Sequence, residues 1–203
     1  HLSGLKSVSD SLIYPIKYWE NNVTGTVNLL KIMNEFNCHN IIFSSSACVY
    51  SKNVSPPFTE NSLIEPVNPY GHTKATVENI LINLFESNPE KWSISILRYF
   101  NPIGSDPSLG IGERISNKTK NIFPILCKAA LCDNFTFKVY GNNWDTFDGS
   151  CIRDYIHVID VAQAHINTLD VMVSKKLKDK KLVLNIGTGK GTSVLELIKN
   201  LEM

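Results

Sequence analysis

The chain has 203 residues, 43% of them hydrophobic, enough to bury a core in one or two lobes. Its 20 basic and 19 acidic residues leave a net charge of +1, which excludes a field directed at nucleic acid or an anionic membrane. Five scattered cysteines without a C-x-x-C pair argue against a zinc site or a disulfide framework and suit a reducing, cytoplasmic setting.

No apolar stretch approaches the length of a membrane span, and none has signal-peptide flanks. Strands and helices alternate along the chain, which predicts an α/β fold with a parallel sheet. Val23, Val27 and Leu30 share one face of a helix over Lys17–Glu35. Asn40–Ser46 is a short apolar run ending in three serines, suited to a buried strand whose carboxyl end opens on a site. Pro69 stands where a helix begins, ahead of Tyr70, Val77, Ile80, Leu81 and Leu84. Trp92–Arg98 reads as a second strand, Asn121–Leu131 as a helix, Phe135–Tyr140 as a third strand and Val158–Val173 as a helix.

Lys175, Lys176, Lys178, Lys180 and Lys181 form a solvated loop in this reading, not a binding patch. Leu182–Ile186 is a fourth strand, and a last helix runs from Ser193. Between them, Gly187-Thr188-Gly189-Lys190-Gly191-Thr192 mimics a phosphate loop but fits neither glycine-rich pattern, so it reads as a strand-to-helix connection. The Pro- and Gly-bearing loops 55–69, 102–112 and 141–150 are long enough to be functional.

Tyr70 and Lys74 stand four residues apart, on one helix face. A phenol of pKa about 10 needs about 4–5 kcal/mol to become a base at neutral pH. A lysine charge about 5 Å away supplies about 3 kcal/mol of it at an effective dielectric of 20. Alone, the pair is what any amphipathic helix surface offers. The serines at 44–46, closing a strand some two dozen residues earlier, add a hydroxyl that can face the phenol.

Serine, tyrosine and lysine in this order resemble the catalytic set of short-chain dehydrogenases/reductases. Six ordered blocks narrow the resemblance to the UDP-glucose (UDP-galactose) 4-epimerases of the extended group. They are Gly4–Val8, Asn21–Thr26, Ser44–Tyr50, Pro69–Lys74, Leu97–Gly104 and Arg153–Val158. Related dehydratases and decarboxylases carry acids where this chain has Ala47, Cys48 and Val49. The resemblance departs at Ser3, Cys48 and Ser51, where the family usually has Ala, Thr and Gly.

The resemblance implies a Rossmann-like doubly wound parallel sheet with a smaller α/β substrate-binding lobe, and NAD as cofactor. It implies Tyr70 as base, Lys74 tuning it and Ser46 holding the sugar 4-oxygen. Cofactor contacts would come from Leu2, Ser3, Gly4, Leu5, Lys6, Asn21, Tyr70, Lys74 and Phe100. The nucleotide sugar, UDP-glucose or UDP-galactose, would meet Ser46, Tyr70, Asn101, Asn121, Ile122, Lys138, Tyr140 and Arg153. Arg153 suits a diphosphate, with a buried salt bridge to Asp154 or another acid as the less favoured alternative. No metal is expected. A homodimer through the helices at 17–35 and 70–86 is implied for the full-length protein, with no membrane or nucleic-acid partner.

The expected partition is a partial NAD-binding domain over 1–101 and a mainly substrate-binding lobe over 102–203, with 151–190 returning to the first. No glycine-rich dinucleotide loop occurs in these residues, so the chain reads as the central part of a longer protein lacking the first strands. Alone it is expected neither to bind NAD nor to turn over. Two alternatives stay open: another extended short-chain reductase acting on a nucleotide sugar, or a non-catalytic remnant.

Overall fold

Ile41, Ile42 and Phe43 in succession suit a strand covered on both faces, and in the computed structural model Asn40–Ser46 is the first strand of a parallel sheet. The structure describes residues 1–108, 110–113, 119, 121–132, 134–174 and 181–201. In chain order the elements begin with α1 (Val8–Ile13), α2 (Pro15–Tyr18), a π-helical stretch (Trp19–Thr24) and α3 (Gly25–Glu35). Next come β1 (Asn40–Ser46), a 3₁₀ turn (Ala47–Val49), α4 (Pro69–Ser87), β2 (Ser93–Tyr99) and β3 (Asn101–Ile103). Then follow α5 (Ile122–Leu131), β4 (Ile152–Arg153), β5 (Tyr155–His157), α6 (Val158–Val173), β6 (Lys181–Ile186), β7 (Thr192–Ser193) and α7 (Val194–Leu201).

The chain divides into two compact units. The first holds His1–Tyr99 and Gln163–Ile186, the second Phe100–Ala162 and the residues from Gly187 onward. In the first, three parallel strands lie in the order β1-β2-β6, with Ile42 opposite Ser95 and Ile96 opposite Val183. His1 runs along the other edge of β1. Its backbone nitrogen donates to the Ile42 carbonyl at 2.7 Å, and its carbonyl accepts from the Ser44 amide at 3.2 Å.

Helices cover both faces of this sheet, which makes it doubly wound. On one face Ile41, Phe43, Ile94 and Ile96 pack with Leu30 of α3 and with Val77 and Leu81 of α4. On the other, the Ser95 hydroxyl donates to the Met172 sulfur at 3.2 Å, and the Tyr99 hydroxyl meets His165 Nε2 at 2.5 Å, both on α6. The helix read over Lys17–Glu35 is one run from Pro15, with a π-helical stretch in the middle that turns Asn22 inward. The Lys-rich run at 175–180 lies outside the described residues, and Lys181 opens β6.

In the second unit β3 pairs in parallel with β5, and β4 pairs antiparallel with β7. These ladders of two or three residues are too short to show a period in the sequence. Phe135–Tyr140 is not a strand. Its apolar residues alternate, with Phe135 and Phe137 half-buried and Thr136 and Lys138 exposed, but its backbone has no ladder partner among the described residues. The alternation reflects one side facing a cleft. Among the described residues no helix is long and apolar enough to cross a membrane, and no cluster of His, Cys, Asp and Glu could hold a metal.

Candidate active site

The first turn of α4 is built to bring a side chain against the end of β1. Asn68 caps it, accepting from the Gly71 amide at 2.8 Å, and Pro69 occupies the first helical position without wasting an amide. Gly71 is required by close approach: a Cβ there would lie 2.4 Å from the Cys48 carbonyl oxygen. Tyr70, Lys74 and Glu78 then recur at one-turn intervals on the buried side of α4. At the facing strand end, the Ser46 side chain caps the 3₁₀ turn, accepting from the Cys48 amide at 3.2 Å.

Ser46 lies near the Tyr70 phenol, and both side chains are buried. The Lys74 ammonium donates to the Ser44 carbonyl at 2.8 Å. It sits 4.8 Å from the centre of the Phe43 ring and 5.8 Å from that of Tyr70. So the structure brings Ser46, Tyr70 and Lys74 into one buried group.

Their electrostatics differ from the sequence expectation. Burial pushes the Tyr70 phenol up to about 12, and the nearby Ser46 hydroxyl opposes this without reversing it. Burial also brings the Lys74 ammonium down to about 8, with the Glu78 carboxylate acting against that. In this state burial outweighs any lowering of the tyrosine by the lysine.

Leu2–Lys6 lies beside this group, tied down by one side chain. Asn22, buried in the π-helical stretch, accepts from the Leu5 amide at 2.7 Å and donates to the Leu5 carbonyl at 3.0 Å and to Thr73 Oγ1 at 3.2 Å. A Cβ on Gly4, whose φ is +154°, would stand 3.9 Å from Lys74 Nζ and 3.1 Å from Asn22 Oδ1. Leu2, Ser3, Gly4 and Lys6 keep exposed surface and Leu5 is half-buried. Asn21 is exposed, next to the buried Asn22.

The remaining candidates, Phe100, Asn101, Asn121, Ile122, Lys138, Tyr140 and Arg153, belong to the second unit. Ile122, Lys138 and Tyr140 come together in a cleft of about 370 Å³ that Ile125, Phe135 and Phe137 also line. Asn101, Asn121 and Arg153 are not among its lining residues. Asn101 is half-buried in β3, its amide donating to the Asp154 carbonyl at 3.0 Å. Asn121 is exposed at the start of α5 and its amide side chain reaches Glu113 at 3.4 Å. Arg153 is exposed and donates to the Ile152 carbonyl at 2.7 Å. The alternative salt bridge to Asp154 does not form. That carboxylate instead accepts from the Thr188 amide and hydroxyl and the Gly189 amide, at 2.7–2.9 Å.

Sequence reading missed Asn22, Glu78 and Arg98. Asn22 stood beside the residue that was chosen, and only the π-helical geometry turns it inward. Glu78 did leave a signal, as the next residue in the Tyr70, Lys74 spacing of four.

The family model described as the NAD dependent epimerase/dehydratase family matches residues 1–187. UDP-glucose 4-epimerase 2 of Oryza sativa subsp. japonica is 43% identical over 206 residues, covering 100% of this chain and 49% of its own length. UDP-glucose 4-epimerase of Bacillus subtilis is 41% identical over 202 residues, covering 100% of this chain and 58% of its own. Among solved structures, UDP-glucose 4-epimerase of Stenotrophomonas maltophila with bound NAD and formylated UDP-arabinopyranose superposes with TM-score 0.92 at 38% identity. That of Bifidobacterium longum in complex with NAD+ and UDP gives 0.88 at 41%. Each superposition covers 98% of this chain and 58% of the other. The chain thus spans about half to three fifths of the relatives it matches.

Proposed function

The chain belongs to the NAD dependent epimerase/dehydratase family, and from that premise we propose that it carries the catalytic centre for reversible C4 epimerisation of UDP-glucose and UDP-galactose. The observation that supports this most directly is the buried grouping of Ser46 and Tyr70 with the Lys74 ammonium beside them. NAD, when bound, accepts and returns a hydride and brings a positive charge in its oxidised form. This structure has groups that fit it. Lys74 commits one of its three N–H groups to Ser44, leaving two suited to a ribose diol, and Gly4 keeps the Leu2–Lys6 backbone close to that ammonium.

Tyr70 takes the proton of the sugar 4-hydroxyl on its phenolate oxygen while C4 gives up its hydride and the C4–O4 bond becomes a ketone. Ser46 donates to O4 and holds it in line with the phenol. The 4-keto sugar turns over in the site, hydride returns to its other face, and Tyr70 gives the proton back to O4. No net oxidation results. Bringing Tyr70 from about 12 to neutrality takes about 7 kcal/mol, whereas one cation 5 Å away supplies about 3. Lys74 alone therefore does not make Tyr70 a base, and the second positive charge must arrive with the oxidised cofactor.

Leu2–Lys6, Asn21 and Phe100 are proposed as cofactor contacts, and Asn101, Asn121, Ile122, Lys138, Tyr140 and Arg153 as contacts to the UDP-sugar. The dehydratase alternative is disfavoured by Ala47, Cys48 and Val49, which form the turn beside Tyr70 and offer no carboxylate. We further propose a cytoplasmic homodimer acting in galactose metabolism. Support for the dimer comes from an apolar groove along α3 and α4 lined by Val27, Leu30, Ile80, Leu84 and Trp92. The test is incubation of the full-length protein with UDP-galactose and no added NAD. UDP-glucose should form to equilibrium, with NAD released in near-stoichiometric amount when the protein is denatured. Consumption of added NADH in step with product would instead identify a reductase.

A further inference from the structure

Beneath the candidate base, an ion pair joins α4 to the sheet with almost no access to water. The Glu78 and Arg98 side chains are 3% and 5% exposed. Arg98 Nη2 donates to Glu78 Oε2 at 2.7 Å, and its Nε reaches both carboxylate oxygens at 3.1 and 3.2 Å. Arg98 Nη1 donates to the Tyr50 hydroxyl at 3.0 Å and the Glu60 carbonyl at 2.9 Å. The Tyr50 hydroxyl in turn donates to Asn185 Oδ1 at 2.5 Å. One network therefore includes α4, β2, β6 and the loop after β1. The Ser45 hydroxyl adds β1 by donating to Glu78.

Burying such a pair is not a cheap way to gain stability, since an apolar pair of equal volume often does as well. What the pair offers is a fixed position. Lys74 binds the carbonyl of Ser44, and Glu78, one turn later, binds the hydroxyl of the next strand residue, Ser45. Successive turns of α4 are thus docked on successive residues of β1. Sliding the helix by one residue, about 1.5 Å, would break both contacts and withdraw Tyr70 from Ser46.

On the functional reading above, we infer that Glu78 is a positioning residue for the reaction: held by Arg98 and Ser45, it sets the register of α4 on β1 and supplies the negative charge that faces the Lys74 ammonium. The groups around that ammonium are Tyr70 and Glu78 on its own helix, with the backbone nitrogen of His1 at the edge of β1. Tyr18, Cys48 and Tyr99 stand near Tyr70 from α2, the 3₁₀ turn and β2. Glu78 is the one carboxylate in the set.

The experiment compares kcat and KM between pH 6 and 9.5 for the full-length wild type, Glu78→Gln and Glu78→Asp. Glu78→Gln keeps the side-chain size and removes the charge, so Lys74 should lose its proton at lower pH. The alkaline limb of kcat should move down by about 1 pH unit, so kcat should fall about twofold at pH 7 and about tenfold at pH 9.5, with KM within about twofold. Glu78→Asp should return the limb toward its wild-type position. A lower Tm with an unmoved limb would overturn the inference while leaving the proposed activity standing. A wild type that does not interconvert the sugars would remove the functional reading and this inference with it. Should Glu78→Gln not fold, Ser45→Ala decides: it leaves the ion pair and removes one docking contact, and a several-fold lower kcat at unchanged KM is expected. Wild-type kcat in Ser45→Ala would overturn the inference.

Discussion

Lys74→Met should make the nucleotide-free protein more stable at neutral pH while abolishing its activity. The ammonium is buried and brought down to about 8 from 10.5. Between these values the unfolded chain holds a proton that the folded chain has given up, so stability rises with pH through that window. Below pH 8 the folded protein carries the full cost of the buried charge. That cost is about 3 kcal/mol. Methionine fills a similar volume without charge but leaves the Ser44 carbonyl without its 2.8 Å donor, which costs about 1–2 kcal/mol. The variant should therefore gain about 2 kcal/mol at pH 7, and the gain should shrink steadily up to pH 9.5. Tyr70, pushed up to about 12, stays protonated over this range in both proteins and cancels from the difference. Denaturant titrations at pH 7, 8 and 9.5, fitted with a common m-value, measure it. A variant less stable than wild type at pH 7, or a difference independent of pH, would refute the reasoning.

In the full-length protein, Tyr70→Phe should lower kcat by about 10²–10⁴ with nucleotide-sugar affinity retained, since it removes the base and little contact area; near-wild-type turnover would count against Tyr70. Arg153→Ala should weaken UDP binding at least tenfold by calorimetry and leave Tm within a few degrees, because the exposed guanidinium has no ion pair with a described acid. Leu81→Ala, at a fully buried position between α4 and the sheet, should cost about 2–5 kcal/mol in denaturant titration.

What the sequence disclosed follows the range of the forces involved. β1 was legible to the residue because an apolar run stopping at three serines is a local signal, and Val158–Val173 was legible from its helical period. Phe135–Tyr140 misled because a strand needs a neighbour, and alternation alone does not provide one. The grouping of Ser46, Tyr70 and Lys74 was foreseeable from spacing and resemblance, but not its dryness, which raises the Tyr70 phenol when no cofactor is bound. The Glu78 network could not be read at all: Tyr50 and Asn185 lie 135 positions apart, and nothing local links them.

The interleaving of the two units constrains how the chain can fold. β6 joins the sheet beside β2, yet it follows β2 by roughly 80 residues, most of which build the other unit. At about 5–20 residues per second, a ribosome takes about 4–16 s to supply them. During that interval the edge of β2 that will receive β6, between Ile94 and Tyr99, has no partner, and its backbone groups are open to any extended segment nearby. Successful synthesis is then a race between intramolecular pairing and association with neighbouring chains. Slower elongation, higher expression or higher temperature all tilt it toward aggregates, even when every contact in the finished sheet is intact.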